Sequence, residues 1–280
     1  ARGGFTPGLA ATLALADGRR LFAKAISATL SEVGVNQYRR EAANIPRLPP
    51  SVPSPRLLWH YDDGEWVVLL LSMVDGHPPA QPWLASELEQ VLSSIADLSA
   101  LLTPAPFIDG RLVDVQAGDF TGWRDLQAAW PGSASGLASY GPWVTHRRDA
   151  LAELESTWQT VADGDSLLHG DLRADNMLLT DDGVVFVDWS DTCVGAGWVD
   201  LVLMLPSIAM QGGPMPEQIV RQHPLTRDLD AHVVDVMAAT VAGFFVARSL
   251  MPAPPGLPTI RAFQRAQGVE AVRWLRARLP

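Results

Sequence analysis

The 280-residue chain is 48% hydrophobic, enough to fill a substantial core, and its single cysteine, Cys193, excludes an internal disulfide or a zinc site built on several thiolates. A net charge of −10 disfavours nucleic acid as a partner and favours a cationic small molecule. The longest uncharged apolar run, Val236 to Ala247, is too short to span a bilayer, so a buried helix and no membrane partner are expected.

The first thirty residues contain Arg19, Arg20 and Lys24 and no signal-like apolar block, which favours a cytoplasmic location. Residues 1–74 hold 8 Lys/Arg against 6 Asp/Glu and residues 75–280 hold 13 against 25, so the acidity is concentrated in the second part. Two antiparallel strands, Leu9 to Leu15 and Leu21 to Ile26, are expected around the hairpin signal Asp17-Gly18. The glycine-bearing segment "RGGFTPG", Arg2 to Gly8, should supply the start of the first strand and the loop before it. Ser31 can cap a helix running to about Ile45, with Val35, Tyr38 and Ala42 on one face and Pro46 near its end. After the stiff "LPPSVPSP" loop, "RLLWHY" and "WVVLLLSMV" joined by "DDGE" form a second hairpin.

The proline-rich "DGHPPAQPW" breaks the periodicity and marks a lobe boundary. Residues 1–74 thus form one lobe and 75–280 a second, mainly helical one. A helix is expected from about Glu87 to Leu102, where leucines and other apolar residues recur at three- and four-residue steps. Residues 103–142 are expected to be irregular. Further helices are expected at 143–162, 199–210, 230–251 and 259–278.

The stretch "HGDLRADNMLLTDDGVVFVDW", His169 to Trp189, concentrates the chemistry. "MLL" and "VVFV" around "TDDG" read as a hairpin with Asp182-Gly183 in its turn. Pairing of its strands brings Asn176 and Asp188 side by side, with Cβ atoms roughly 5 Å apart. Such an incomplete oxygen shell suits Mg²⁺, which takes one or two protein ligands and fills the rest with water and phosphate. Asp171, on the loop entering the hairpin, is the candidate base. Asp181 and Asp182 are solvated turn residues. His169, Asp171, Leu172 and Asn176 fall in register on the protein-kinase motif H-R-D-L-x-x-x-N, which is followed by a metal-binding Asp. A site of that kind needs a strand lysine on the nucleotide phosphates and a helix glutamate to hold it. Lys24, the only lysine in the chain, and Glu41 fill those places.

With "HGDLRADN" in place of "HRD" and "FVDW" in place of a DFG triplet, the sequence resembles the aminoglycoside phosphotransferase family of the protein-kinase-like fold. "LLLSMVDG", Leu69 to Gly76, looks like that family's hinge, and "GWVDLVLML" like the segment in which Asp200 braces the catalytic loop. The resemblance implies an α+β, two-lobed kinase-like fold with a small antiparallel sheet and one helix in the first lobe.

It also implies roles. Asp171 would orient and deprotonate the acceptor hydroxyl, and Asn176 and Asp188 would hold Mg²⁺ on the phosphates of ATP or GTP. Lys24, positioned by Glu41, would contact the α- and β-phosphates. Ser72 and Val74 would offer backbone groups to the purine, with Leu71 at the back of the pocket, and His169 would be structural. The amino-terminal loop departs from the family pattern in lacking a full G-x-G-x-x-G. The missing DFG glycine and activation segment argue against a regulated protein kinase.

The acceptor is expected to be a small molecule bearing a hydroxyl, cationic or antibiotic-like. Asp191 could pair with its ammonium groups, and Trp123, Trp130, Trp189 and Trp198 are candidates to stack on a flat ring. A kinase of a primary metabolite such as an amino sugar, and a catalytically silent nucleotide-binding protein, are the alternatives.

Overall fold

A computed structural model describes residues 7–129, 132–254 and 257–279. Most of the Arg2 to Gly8 segment and Trp130 lie outside the described residues. Strands β1 (Leu9–Ala14), β2 (Arg20–Ser27), β3 (Leu57–Asp62) and β4 (Trp66–Ser72) form an antiparallel sheet in the order β1-β2-β4-β3. Each expected hairpin turns on a glycine at positive φ, Gly18 at 85° and Gly64 at 93°, where a Cβ would be strained. β2 lies inside the sheet, so Lys24 is not on an edge strand. β4 alternates, burying Val67, Leu69 and Leu71.

Helix α1 (Glu32–Asn44) begins as expected at Ser31, whose side chain accepts from the Gly34 N–H at 3.0 Å. Val35 and Tyr38 on α1 pack with Ile26, Val67 and Leu69 into a small core that fixes the helix on the sheet.

The rest of the chain is mainly helical. Helix α2 (Ala85–Leu101) buries Leu88, Val91, Ile95 and Leu98 on one face. Residues 103–142 are not irregular throughout. They contain the short helices α3 (Leu112–Val115), α4 (Gly122–Ala128) and α5 (Ala134–Ala138), each too short for an amphipathic repeat to register. The helix expected over 143–162 is two, α6 (Pro142–Glu155) and α7 (Trp158–Ala162). Ser156 and Thr157 break it, their hydroxyls donating back to the Glu153 and Leu154 carbonyls.

Between α7 and the next helix lie two two-stranded sheets. β5 (Ser166–Leu168) pairs with β8 (Cys193–Gly195), and β6 (Met177–Thr180) pairs with β7 (Gly183–Phe186). The turn between β6 and β7 is Asp181-Asp182, both exposed, and Gly183 at φ 134° opens the return strand. Helices α8 (Val199–Met210), α9 (Pro216–Gln222), α10 (Ala231–Ser249) and α11 (Ile260–Arg278) complete the chain. α9 was not expected from the sequence.

α10 is long and apolar enough to cross a membrane by length and composition, yet it is the central core helix. Val236 through Gly243 are buried, against α11 on one side and α4 and α6 on others. At the α4 crossing a Cβ on Gly122 would meet the Gly243 carbonyl oxygen at 2.0 Å, so the two backbones touch.

Candidate active site

The pairing of β5 with β8 determines where the polar residues go. Leu168 stands opposite Cys193, so the loop leaving β5 and the loop entering β8 start side by side. The β6–β7 hairpin closes the same end, and the Val187 N–H donates to the Asn176 carbonyl at 2.9 Å. His169, Asp171, Asn176, Asp188 and Asp191 therefore converge. The contact is close: Gly170 adopts φ 83°, and a Cβ there would meet the Asp191 carbonyl oxygen at 2.1 Å.

Asp200, in the first turn of α8, is buried and accepts from the His169 N–H at 2.7 Å and the Gly170 N–H at 3.0 Å. His169 is fully buried and 4.7 Å from the Trp189 ring. Its Nε2–H donates to the Val187 carbonyl at 3.0 Å, because a carbonyl only accepts, and its Nδ1 accepts from the Asp171 N–H at 3.4 Å. Burial lowers its pKa, so the ring is a neutral structural brace.

Asn176 Nδ2 donates to both the Asp171 carbonyl oxygen, at 2.8 Å, and Asp171 Oδ2, at 3.1 Å. The amide oxygen of Asn176 is its remaining ligand. The Asp171 side chain is 38% exposed, facing the cleft. Its surroundings raise its pKa to about 7, mainly through burial, with Arg173 opposing and Asp191, Asp188 and Asp175 adding to the rise. Asp188 is the one described non-glycine residue at positive φ, 68°. Such a conformation costs of order 1–3 kcal/mol and persists only where the surroundings over-determine it.

Lys24 comes from the opposite wall. Its Nζ is 2.6 Å from Glu41 Oε2 and 3.2 Å from Asp188 Oδ1, and it lies 5.0 Å from the centre of the Tyr38 ring. Burial alone would lower its pKa, but Glu41 and Asp188 outweigh it and raise the pKa, so the ammonium is held charged. The strand and helix pairing expected for Lys24 and Glu41 is present.

These residues line a cleft of about 680 Å³ together with Leu71, Ser72 and Val74. The Ser72 N–H is committed to the Arg56 carbonyl at 2.9 Å, so it is not the backbone group that would meet a ligand. The segment beyond Val74 is pinned to the hairpin by reciprocal bonds between His77 and Leu179, at 3.0 and 2.8 Å.

Two expectations fail. Trp123 is 0% exposed in the core, its Nε1–H donating to the Ala239 carbonyl at 2.7 Å. Trp189 is likewise 0% exposed, beneath His169 and bonded to the Phe186 carbonyl. Neither presents a ring face to the cleft. Trp198 is half-buried against the same core. Asp191 does line the cleft, but its carboxylate is held by Arg40 at 3.0 Å and by the Ser190 hydroxyl at 3.1 Å.

Arg173 and Asp175 were not singled out from the sequence, although both stand inside "HGDLRADN". The Arg173 guanidinium forks onto Asp175 at 3.1 and 3.0 Å, stands 3.6 Å from Asp171 Oδ2, and lies 5.9 Å from the Phe263 ring of α11. Asp188 with Asn176 offers the sparse oxygen set that Mg²⁺ accepts when phosphate and water complete its shell. Among the described residues no group of three or more His, Cys, Asp or Glu side chains is placed to hold a metal, as a dedicated protein cage would need.

The model of the phosphotransferase enzyme family matches residues 13–232. No curated protein matches the chain in sequence. Among solved structures it is similar to a thermostable mutant of the aminoglycoside phosphotransferase APH(4)-Ia, at 13% identity and a TM-score of 0.62, covering 99% of this chain and 93% of that one. An amicoumacin kinase solved with AMP-PNP, Ca²⁺ and its ligand gives 11% identity, a TM-score of 0.58 and coverage of 95% and 86%. A putative fructosamine-3-kinase from Haemophilus somnus gives 14%, 0.58, and 99% and 90%. Identities this low speak for the fold, which is the two-lobed, α+β kinase-like fold expected from the sequence.

Proposed function

Because the chain belongs to the phosphotransferase enzyme family, we propose that it moves the γ-phosphate of ATP or GTP to a hydroxyl of a small molecule with Mg²⁺ as cofactor. The observation that carries this reading is the position of Lys24. It bridges Glu41 and Asp188 in the same cleft that Asp171 and Asn176 line.

In this reading the nucleotide lies between the lobes, whose boundary we place at residues 74 and 75. The purine sits against Leu71, with the Ser72 carbonyl and the Val74 backbone as its polar contacts. Lys24 meets the α- and β-phosphates, and Glu41 keeps it aimed. Asn176 and Asp188 would hold Mg²⁺, which when bound neutralises charge on the phosphates. Asp171 aligns the acceptor hydroxyl and takes its proton, a modest demand because phosphoryl transfer depends mostly on positioning and electrostatics. Asn176 orients that carboxylate. Asp200 and His169 hold the loop that carries it.

The cleft is lined by the carboxylates Glu41, Asp171, Asp175, Asp188 and Asp191 against the cations Lys24 and Arg173, with Arg40 adding a third cation on Asp191, so acidic groups still outnumber basic ones. That excess supports an amine-bearing acceptor, an aminoglycoside or another sugar- or nucleoside-containing antibiotic, and a role in resistance or self-protection. The test is incubation with Mg²⁺ and ATP or GTP across aminoglycosides, macrolides, nucleoside antibiotics and amino sugars, with product mass as readout. One added phosphoryl group on any member establishes the transfer and its acceptor. Phosphorylation of amino sugars alone would reassign the role to primary metabolism. No product from any of them, with nucleotide bound, would count against catalysis.

A further inference from the structure

The strained residue Asp188 is fixed from both sides. Before it, the Val187 N–H is bonded to Asn176 on the hairpin. After it, two side chains one turn apart on α1 grip successive carbonyls: Arg40 Nε donates to Ser190 at 2.9 Å and Asn44 Nδ2 to Trp189 at 2.8 Å. Arg40 reaches further with its Nη2, 3.0 Å from Asp191 Oδ1. Glu41, the neighbour of Arg40, bonds the lysine that also holds Asp188.

We infer that Arg40 is a positioning residue for the metal ion. It ties α1, and with it Glu41 and Lys24, to the backbone that keeps Asp188 in its left-handed conformation. This rests on the reading of Asp188 as a ligand to Mg²⁺. The physical reason is preorganisation. A carboxylate on a strained residue holds its geometry only while the flanking carbonyls are fixed, and partners behind a metal ligand typically tune metal affinity by 10- to 100-fold. The Arg40 side chain is 51% exposed, so it is not a core residue whose loss should unfold the chain. A fork of two guanidinium nitrogens on one carbonyl and one carboxylate is a geometry lysine cannot reproduce.

The experiment titrates Mn²⁺, as a paramagnetic substitute for Mg²⁺, into the protein with AMP-PNP, reading free Mn²⁺ by electron paramagnetic resonance. Thermal unfolding without ligands is recorded in parallel. Arg40→Ala is expected to raise the Mn²⁺ Kd at least about tenfold with an almost unchanged unfolding midpoint, and Arg40→Lys to recover part of the loss. Unchanged Mn²⁺ affinity in Arg40→Ala would overturn the inference. So would a parallel fall of midpoint and affinity in both variants, which would make Arg40 merely structural. Failure of the unsubstituted protein to bind Mn²⁺ with AMP-PNP would instead strike the phosphotransferase reading itself.

Discussion

Asn176 grips Asp171 twice, at the carbonyl and at the carboxylate, so one amide sets both the backbone and the side chain of the candidate base. Asp171→Asn keeps that shape and removes the basic oxygen. It is expected to lower kcat by about 10²- to 10⁴-fold while leaving nucleotide affinity intact, the range typical of a positioned general base. Turnover measured beside fluorescent nucleotide titration checks this. Turnover equal to the unsubstituted protein would remove Asp171 from that role.

Lys24 and Glu41 are joined at 2.6 Å with Glu41 only 1% exposed. Lys24→Met strands that carboxylate, and breaking a buried pair costs roughly 3–5 kcal/mol. The lower end is expected, since burial already pushes Glu41 up to about 7 against the pull of Lys24, and a released Glu41 takes up a proton. Urea unfolding of Lys24→Met, and of the double variant with Glu41→Gln, provides the measurement. The double variant should recover most of the loss, because the buried partner Glu41 is then uncharged and the other carboxylate on Lys24, Asp188, has a side chain 36% exposed to solvent.

That Lys24 meets Glu41, and that Asp171 and Asn176 stand at the hairpin end that carries Asp188, was legible in the sequence because these placements follow from local spacing. A hairpin brings its two ends together by register, and a strand lysine faces the helix that follows. What the sequence did not reveal depends on packing. Trp123 and Trp189 have the composition of a stacking platform but end in the core, and no periodicity separates a buried ring from an exposed one. β5 and β8 are three residues each, below the length at which alternation is visible. Arg40 and Asn44 sit one turn apart on α1, yet the carbonyls they hold lie about 150 residues away, and no local pattern announces such a partner.

Gly170 is a sharper test of the site's geometry than any charged residue. At φ 83° it faces the Asp191 carbonyl oxygen, which a Cβ would meet at 2.1 Å. Gly170→Ala must therefore move backbone, either its own loop or the 188–191 loop, and both carry site residues. We expect activity to fall at least about tenfold even where the protein remains folded, since small misplacements at a reacting centre can cost 10²-fold. Circular dichroism beside turnover separates the two effects. A folded Gly170→Ala protein with full activity would show that the contact between the two loops is not needed.

Glu155 gives a prediction for stability against pH. It is fully buried at the end of α6, where it accepts from the Trp123 N–H at 3.0 Å and the Arg124 N–H at 3.2 Å at the start of α4. Burial raises its pKa to about 7, while those two N–H groups and the Arg124 guanidinium oppose the rise. In the unfolded chain the group returns to the ordinary glutamate value near 4.3. Between these values the folded state binds more protons than the unfolded one, so stability contributed by this group falls as pH rises from about 4.5 to 7 and levels off above. Glu155→Gln carries no titration, and the cost of its altered hydrogen bonding is the same at every pH. Subtracting the urea midpoints of the variant from those of the unsubstituted protein at pH 5, 6, 7 and 8 therefore isolates Glu155. The difference should decline across that range, most steeply before pH 7. A flat difference would mean that the two N–H groups and Arg124 fully offset the burial and keep the carboxylate ionised throughout.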